Sequence, residues 1–340
     1  MKLAAVGFCN DSGVGRELVG AVRQLPFSSV FVLNNPDHRT RVDLLPISSC
    51  YIPKTPDTAL EMRKFLDTHK PDSIITWDGP GHPEFASIWK QRGIRWMNVV
   101  HWDWFNPKAM DAWRGAHLIS PNKMCQKLLF DHFGLKSTLL PIPVDTDRLT
   151  FRKRTEAAVF MSVYGTGGPH NRRSLPEIFL AWSEVTNAPP LIIKAQVRPP
   201  EFDRYLAPPC VRLQVDDLPE PEDLYLTGDV TVQVSRYEGI GTSVLEAMAC
   251  GLPVITTKCP PMTELGTELL VDPEETATIQ LAGKDVTSYT PSVQKLREMV
   301  EYLGGRDISD LSERGRWRVE KDFSWNTLRP RWAALLKVGG

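Results

Sequence analysis

Hydrophobic positions along this chain fall into short continuous runs that alternate with longer stretches of helical spacing. The apolar run from Leu3 to Phe8 leads into CNDSGVGREL, where Gly13 and Gly15 punctuate a turn. From Glu17 onward, Leu18, Val22 and Leu25 share one side of a helix. SSVFVLN (28–34) predicts a second strand, TALEMRKFLDTHK (58–70) an amphipathic helix ended by Pro71, and DSIITW (72–77) a third strand. A helix over 82–93, a strand over 94–101 ending at His101, a strand at 117–121, a helix after it and an extended stretch at 137–145 follow. The pattern then restarts, with a strand at 157–165, a helix at 173–185, a strand within 188–197, and helix, strand, turn, helix and strand across 222–258. Three further helices are expected over 295–305, 311–324 and 325–338, and the polar, aperiodic stretch 146–156 reads as a linker. Strands alternating with helices at this spacing predict an α/β protein with doubly wound, mostly parallel sheets. In such domains ligands gather at the carboxyl ends of strands, beside glycine turns and helix N-termini.

Composition narrows the class without naming a reaction. The 340 residues suit two domains, and 42% hydrophobic with 24% charged residues is ordinary for a protein that buries real cores. A net charge of -1 excludes a histone-like tail. Residues 1–150, with 18 basic and 15 acidic side chains, are only slightly more basic than the remainder, with 22 and 26. The six cysteines include no CxxC pair and no Cys/His cluster with zinc spacing, so reduced thiols in a cytoplasmic setting are expected. The opening MKLAAVGFCNDSG is broken too early by Asn10 and Asp11 to read as a secretory leader, and no apolar stretch is long enough for a spanning helix. Peripheral membrane contact stays open.

The most informative segment is RYEGIGTSVLEAMACGLPVI, from Arg236 to Ile255. An extended apolar run ends at Glu238, turns through Gly239 and Gly241, and starts a helix at Thr242 or Ser243, with Glu246 about one turn in. Backbone N–H groups at a helix N-terminus suit a phosphate, and carboxylates accept hydrogen bonds from sugar hydroxyls. An anion joined to a polyol describes a nucleotide sugar. The segment resembles the E-x7-E signature of the retaining, GT-B fold glycosyltransferases of the family 4 type, whose wording is close to EGFGLPVLEAMACGLPVI. The spacing fits, since Glu246 lies eight positions after Glu238. LLPIPVDTDRLTF (139–151) is similar to that family's interdomain VIPNGVDTDRF, and Phe323-Ser324-Trp325 to the FSW that opens its last helix. The resemblance covers most of 110–338 and is vaguer over 1–100.

The resemblance implies two Rossmann-like domains facing a cleft: an acceptor-binding domain at 1–150, a nucleotide-sugar-binding domain at 151–320, and a C-terminal helix at 321–340 crossing back to pack on the first. It implies transfer of a sugar, a hexose, from a UDP- or GDP-sugar to an acceptor hydroxyl, with retention, no cofactor and no metal. Carried over by residue, Glu246 accepts from the ribose hydroxyls, Glu238 holds the donor sugar, and Gly239, Gly241, Thr242 and Ser243 surround the distal phosphate. Gly13 and Gly15 let the first domain's backbone approach the diphosphate. Where the family has Gly-Arg this chain has Gly165-Thr166, so the phosphate-binding cation falls to Arg172 or its rival Arg173, joined by Lys194 at a strand end. His101 resembles the family's histidine by the donor sugar, with Trp102, Trp104 and Phe105 beside it for stacking, and Asp78, His82 and Asp103 are acceptor-side candidates. The implied chemistry is front-face substitution, in which the acceptor hydroxyl gives its proton toward the departing phosphate oxygen. On this reading, loss of Glu238 impairs use of the nucleotide sugar and spares binding of the bare nucleoside diphosphate.

Two other classes stand beside this one. A nucleotide-sugar epimerase of similar fold would turn over its donor without an acceptor, and a non-catalytic module binding a sugar nucleotide or a partner would not turn it over at all. A nicotinamide dehydrogenase wants GxGxxG after the first strand, which GFCNDSGVGREL does not supply. The acceptor stays open among small molecules, glycans, lipid-linked glycans and proteins. A modified DNA base is a minor alternative, because DNA would want a wide basic groove. Oligomeric state is open as well.

Overall fold

The computed structural model describes residues 2–10, 12–34, 39–216 and 221–337. Asp11 in the first turn, His38 and the end of the C-terminal helix beyond Lys337 lie outside the described residues. The chain divides into two compact units, one of Met1–Pro143 with Leu281–Lys284 and Leu328–Gly340, the other of Val144–Gln280 with Asp285–Thr327.

The first unit follows the order β1 (Leu3–Phe8), α1 (Gly13–Gln24), β2 (Phe27–Leu33), β3 (Cys50–Tyr51), α2 (Thr58–His69), β4 (Ser73–Trp77), α3 (Phe85–Gln91), β5 (Arg95–Val99), α4 (Met110–Arg114), β6 (His117–Ser120), α5 (Lys123–Phe133) and β7 (Ser137–Leu139). Its seven strands form one parallel sheet in the order β3-β2-β1-β4-β5-β6-β7. Every residue of β4 is buried, as a strand covered by helices on both faces requires. The helices are bounded by the chemistry of their ends. Asp57 caps α2 by accepting from Leu60 N–H at 2.9 Å, and Asn122 caps α5 through Cys125 N–H at 2.8 Å; either cap contributes about 1 kcal/mol. Phe31, Phe65, Phe85 and Trp89 are wholly buried beside the sheet, each contributing roughly 1.5–3 kcal/mol by leaving water.

Two boundaries differ from the sequence pattern. α1 begins at Gly13, so Gly13 and Gly15 lie in its first turn and not ahead of it, because Ser12 caps the helix by accepting from Gly15 N–H at 3.2 Å. β5 ends at Val99, so His101 follows the strand instead of ending it.

The second unit continues with β8 (Phe160–Gly165), α6 (Leu175–Glu184), β9 (Leu191–Ala195), α7 (Glu201–Arg204), β10 (Val211–Val215), β11 (Val230–Gln233), α8 (Thr242–Ala249), β12 (Val254–Thr257), α9 (Met262–Leu265), β13 (Leu269–Val271), β14 (Pro273–Leu281), β15 (Lys284–Pro291), α10 (Val293–Leu303), α11 (Ser309–Asp322) and α12 (Trp325–Lys337). Its six-stranded sheet is again parallel, in the order β10-β9-β8-β11-β12-β13. Both sheets are thus doubly wound, with switch points at β1/β4 and β8/β11, where such sheets bind ligands. β11 stops at Gln233, short of Glu238, because Ser235 N–H turns back to the Gln233 carbonyl at 3.0 Å. The hairpin β14–β15 does not figure in the sequence pattern. Its two loop residues, Ala282 and Gly283, have φ of 50° and 79°, the sign that a tight two-residue hairpin demands. From Leu328 onward α12 belongs to the first unit, where Trp332 Nε1 donates to the Pro141 carbonyl at 3.1 Å. No helix among the described residues is long and apolar enough to cross a membrane.

Candidate active site

In the second unit the chemistry collects at the carboxyl ends of β8 and β11. The end of β8 and the loop after it have left-handed φ at Gly165, Gly167, Gly168, His170, Asn171 and Ser174. The non-glycine members cost on the order of 1 kcal/mol each, and neighbouring contacts hold them. Tyr237 OH donates to the Pro169 carbonyl at 2.7 Å, and Asn171 Nδ2 donates to Glu177 at 3.3 Å. This course delivers Arg172 and Arg173 to Glu238, where Arg172 donates to Oε2 and Arg173 to Oε1. Ser235 Oγ donates to the same Oε1 at 2.9 Å and accepts from Arg173 at 3.0 Å. Burial acts most strongly on Glu238 and pushes its pKa up. The charges and hydrogen bonds of the two arginines with Ser235 outweigh it and hold the carboxyl below its ordinary value.

Beyond Glu238 the chain turns through Gly241, at φ 84°, into α8, which begins without a side-chain cap. A Cβ on Gly241 would sit 2.8 Å from Leu265 Cδ1 and on a left-handed backbone, so glycine is favoured there. Thr242, Ser243 and Glu246 are half-buried on this helix. Glu246 Oε2 accepts from the wholly buried Tyr225 OH at 2.7 Å. Lys194, buried near the end of β9, donates to the Asp223 carbonyl at 3.3 Å. Burial lowers its pKa, with the Asp223 charge partly opposing. Asp223 and Tyr225 belong to one short 3-10 turn, Pro221–Tyr225, so Lys194 and Glu246 share a support.

In the first unit the centre is His101, which is 5% exposed. Its Nε2 lies 2.9 Å from Glu17 Oε2 and its Nδ1 2.9 Å from Asp78 Oδ1, so both ring nitrogens face carboxylates. Asp78 follows β4 with φ of 60°, a strained conformation for a non-glycine residue that turns its carboxylate to the ring. Burial is the largest influence on His101 and lowers its pKa. Asp78 and Glu17 together overcome it and raise the value well above the ordinary one. A Cβ on Gly15 would lie 2.3 Å from Asn10 Oδ1, so this glycine permits the close approach of Asn10. Gly13 has nothing within 4 Å of such a Cβ. Asp103 is buried in the loop after His101. His82 instead serves α3, its Nδ1 accepting from Glu84 N–H at 3.3 Å, and packs on Phe85.

The residues expected from sequence therefore gather in two groups. Arg172, Arg173 and Glu238 meet directly, and Glu246, Lys194, Gly239, Gly241, Thr242 and Ser243 stand on the adjoining turn, helix and strand. His101 meets Asp78, while His82 contacts neither. Three partners escape sequence reasoning. Glu17 lies four residues before buried Ala21 on the inner side of α1, a spacing that marks it as facing inward. Tyr225 and Ser235 carry no such local mark. Among the described residues no group of three or more His, Cys, Asp or Glu side chains is arranged to hold a metal ion.

Residues 198–308, about a third of the chain, match the family model described as "Glycosyl transferases group 1". No curated protein matches the sequence. Among solved structures, HepE of Anabaena in complex with UDP and glucose is similar over 99% of both chains, with a TM-score of 0.74 at 15% identity. That likeness runs through both units. The chain has the GT-B fold. Sucrose-phosphate synthase of Thermosynechococcus elongatus shares it over 99% of this chain and 98% of its own, with a TM-score of 0.72 at 15% identity. A glycosyltransferase of Rickettsia africae does so over 99% and 100%, with a TM-score of 0.69 at 14% identity. The matched stretch 198–308 holds the Glu238–Glu246 segment of this GT-B chain.

Proposed function

We propose that this chain is a retaining glycosyltransferase that moves a hexose from a nucleoside-diphosphate sugar to an acceptor hydroxyl. The observation that carries the reading is the switch-point cluster of the second unit, with Glu238 and Glu246 on either side of the start of α8 and Arg172 and Arg173 on Glu238. The GT-B fold and the family match over 198–308 support it, and the UDP and glucose of the HepE complex favour a UDP-sugar over a GDP-sugar as donor. Glu246 accepts from the ribose hydroxyls, and the Gly239–Gly241 turn with Thr242 and Ser243 receives the distal phosphate at the positive end of α8. Arg172, Arg173 and Lys194 stabilise the negative charge that builds on the departing diphosphate, so the reaction needs no divalent cation. Glu238 meets the sugar hydroxyls and aims the arginines.

In the first unit, Asp78 and Asp103 stand on the acceptor side. His101, an imidazolium with both nitrogens on carboxylates, fixes Asp78 in place and takes no proton. The acceptor hydroxyl enters on the face from which the phosphate leaves and passes its proton to that phosphate, which retains the anomeric configuration. A cytoplasmic enzyme acting on a soluble, glycan or lipid-linked acceptor fits this chemistry.

Calorimetric titration with UDP, GDP and ADP in the presence of EDTA tests the binding half of the proposal. Metal-free binding is expected, weaker in Glu246→Gln by about 1.5–3 kcal/mol because a charged acceptor of two hydroxyls is lost. Strict dependence on magnesium, or an unchanged dissociation constant in the variant, goes against it.

A further inference from the structure

Lys284 opens β15 and counts with the first unit, yet no step of the reaction above uses it. Only 6% exposed, its ammonium donates to the Phe105 carbonyl at 2.8 Å and the Asp103 carbonyl at 3.3 Å. It also lies 5.1 Å from the centre of the Trp102 ring, within reach of its π face. A lysine this deep is expensive unless its donors find partners, and here they find main-chain oxygens of a single loop. That loop is already turned on itself, with Trp104 N–H and Phe105 N–H both donating to the His101 carbonyl at 3.1 and 3.0 Å. Trp102 stacks on Phe105 at 6.0 Å, and Phe105 packs on Trp113 at 4.9 Å. The two carbonyls taken by Lys284 flank Trp104, which is 54% exposed while Trp102 and Phe105 are buried. The left-handed pair Ala282-Gly283 just before Lys284 makes its position a property of the hairpin turn.

We infer that Lys284 is a positioning residue that clamps the main chain on both sides of Trp104 and so fixes the exposed indole as a stacking surface for the acceptor. The acceptor part rests on the glycosyltransferase reading; the clamp does not. Burial pulls the Lys284 pKa down to about 8, with the charges of Asp103, Cys125 and Asp78 pulling it back. The ammonium is therefore intact below that pH and lost above it. The groups facing it are Asp103 of the clamped loop, Asp78 after β4 and Cys125 on α5.

Hydrogen exchange of the full chain without ligand tests the clamp through peptides spanning 101–106. Lys284→Met is expected to raise exchange there at least tenfold, and Lys284→Arg to restore most of the protection. Where Lys284→Met does not fold, wild-type exchange at pH 7 and pH 9, corrected for intrinsic rates, shows the same loss of protection at the higher pH. Unchanged exchange in either comparison overturns the clamp. Kinetics with UDP-glucose and a glycan acceptor panel test the consequence. Lys284→Met and Trp104→Ala should each raise the acceptor KM at least fivefold, with the donor KM within twofold, and the double variant should add little. The rise of acceptor KM above pH 8 should disappear in Lys284→Arg. Raised exchange with an unchanged acceptor KM overturns the acceptor role. A wild type that turns over no donor overturns the glycosyltransferase reading instead, and exchange alone then decides the clamp.

Discussion

Glu238→Ala is expected to lower donor turnover by about 10²–10³-fold and to destabilise the second unit by about 3–5 kcal/mol. The carboxylate is buried and takes a hydrogen bond from each of Arg172, Arg173 and Ser235. Removing it takes the buried carboxylate they share away from two neighbouring guanidinium groups. The arginines then lose the orientation they need toward a phosphate. This changes the expectation from sequence, in which Glu238 serves the sugar alone and the bare nucleoside diphosphate binds unaffected. With both arginines aimed by Glu238, UDP affinity should shift as well, by about tenfold or more. Urea unfolding and calorimetry on Glu238→Ala and Glu238→Gln check it, with the glutamine variant intermediate because it keeps shape and loses charge. Wild-type stability together with wild-type UDP affinity would contradict this account of the cluster.

The second large effect is expected at His101. His101→Ala withdraws the cation between Glu17 and Asp78 and leaves a buried and a half-buried carboxylate near each other, so stability should fall by about 3–5 kcal/mol. Turnover should fall by about 10²-fold, since Asp78 loses the partner that holds it. The pH dependence distinguishes this from simple loss of packing. His101 is raised well above its ordinary value, so its stabilising contribution is fully present below the unfolded pKa, about 6.5, and is lost as pH climbs through the folded one. The stability gap between wild type and His101→Ala should therefore be widest below about pH 6.5 and narrow in alkali. Urea titrations at several pH values measure it, and a gap that stays constant from pH 6 to 10 would assign His101 to packing alone.

How much of this is legible in the sequence depends on the range of the contact. Glu238, Gly241 and Glu246 form a local motif within one turn and one helix, so spacing reveals both the turn and the start of α8. The doubly wound architecture is also legible, since each strand and helix carries its own periodicity. Arg172 and Arg173 stand 66 and 65 residues from Glu238, and the meeting depends on β8 lying beside β11. Spacing therefore leaves the two arginines as rivals for one phosphate, whereas the structure makes both of them partners of one carboxylate. Glu17 and His101 are 84 residues apart and meet because β1, β4 and β5 are neighbours in the sheet. The β14–β15 hairpin is hidden because its strands are half-exposed and polar, and its turn carries Ala-Gly in place of the more telling Asn-Gly.

The central claim is that the chain transfers a sugar from a nucleoside diphosphate with retention, and mass spectrometry tests it most directly. UDP-, GDP- and ADP-sugars are incubated with mixed glycan, lipid-linked and small-molecule acceptors in the presence of EDTA, and product mass and anomeric linkage are read from the same reaction. The account predicts acceptor-dependent release of nucleoside diphosphate, most strongly from a UDP-sugar, and a product with the anomeric configuration of its donor. A product with inverted configuration, or donor turnover that ignores the acceptor and yields an isomerised nucleotide sugar, would contradict it.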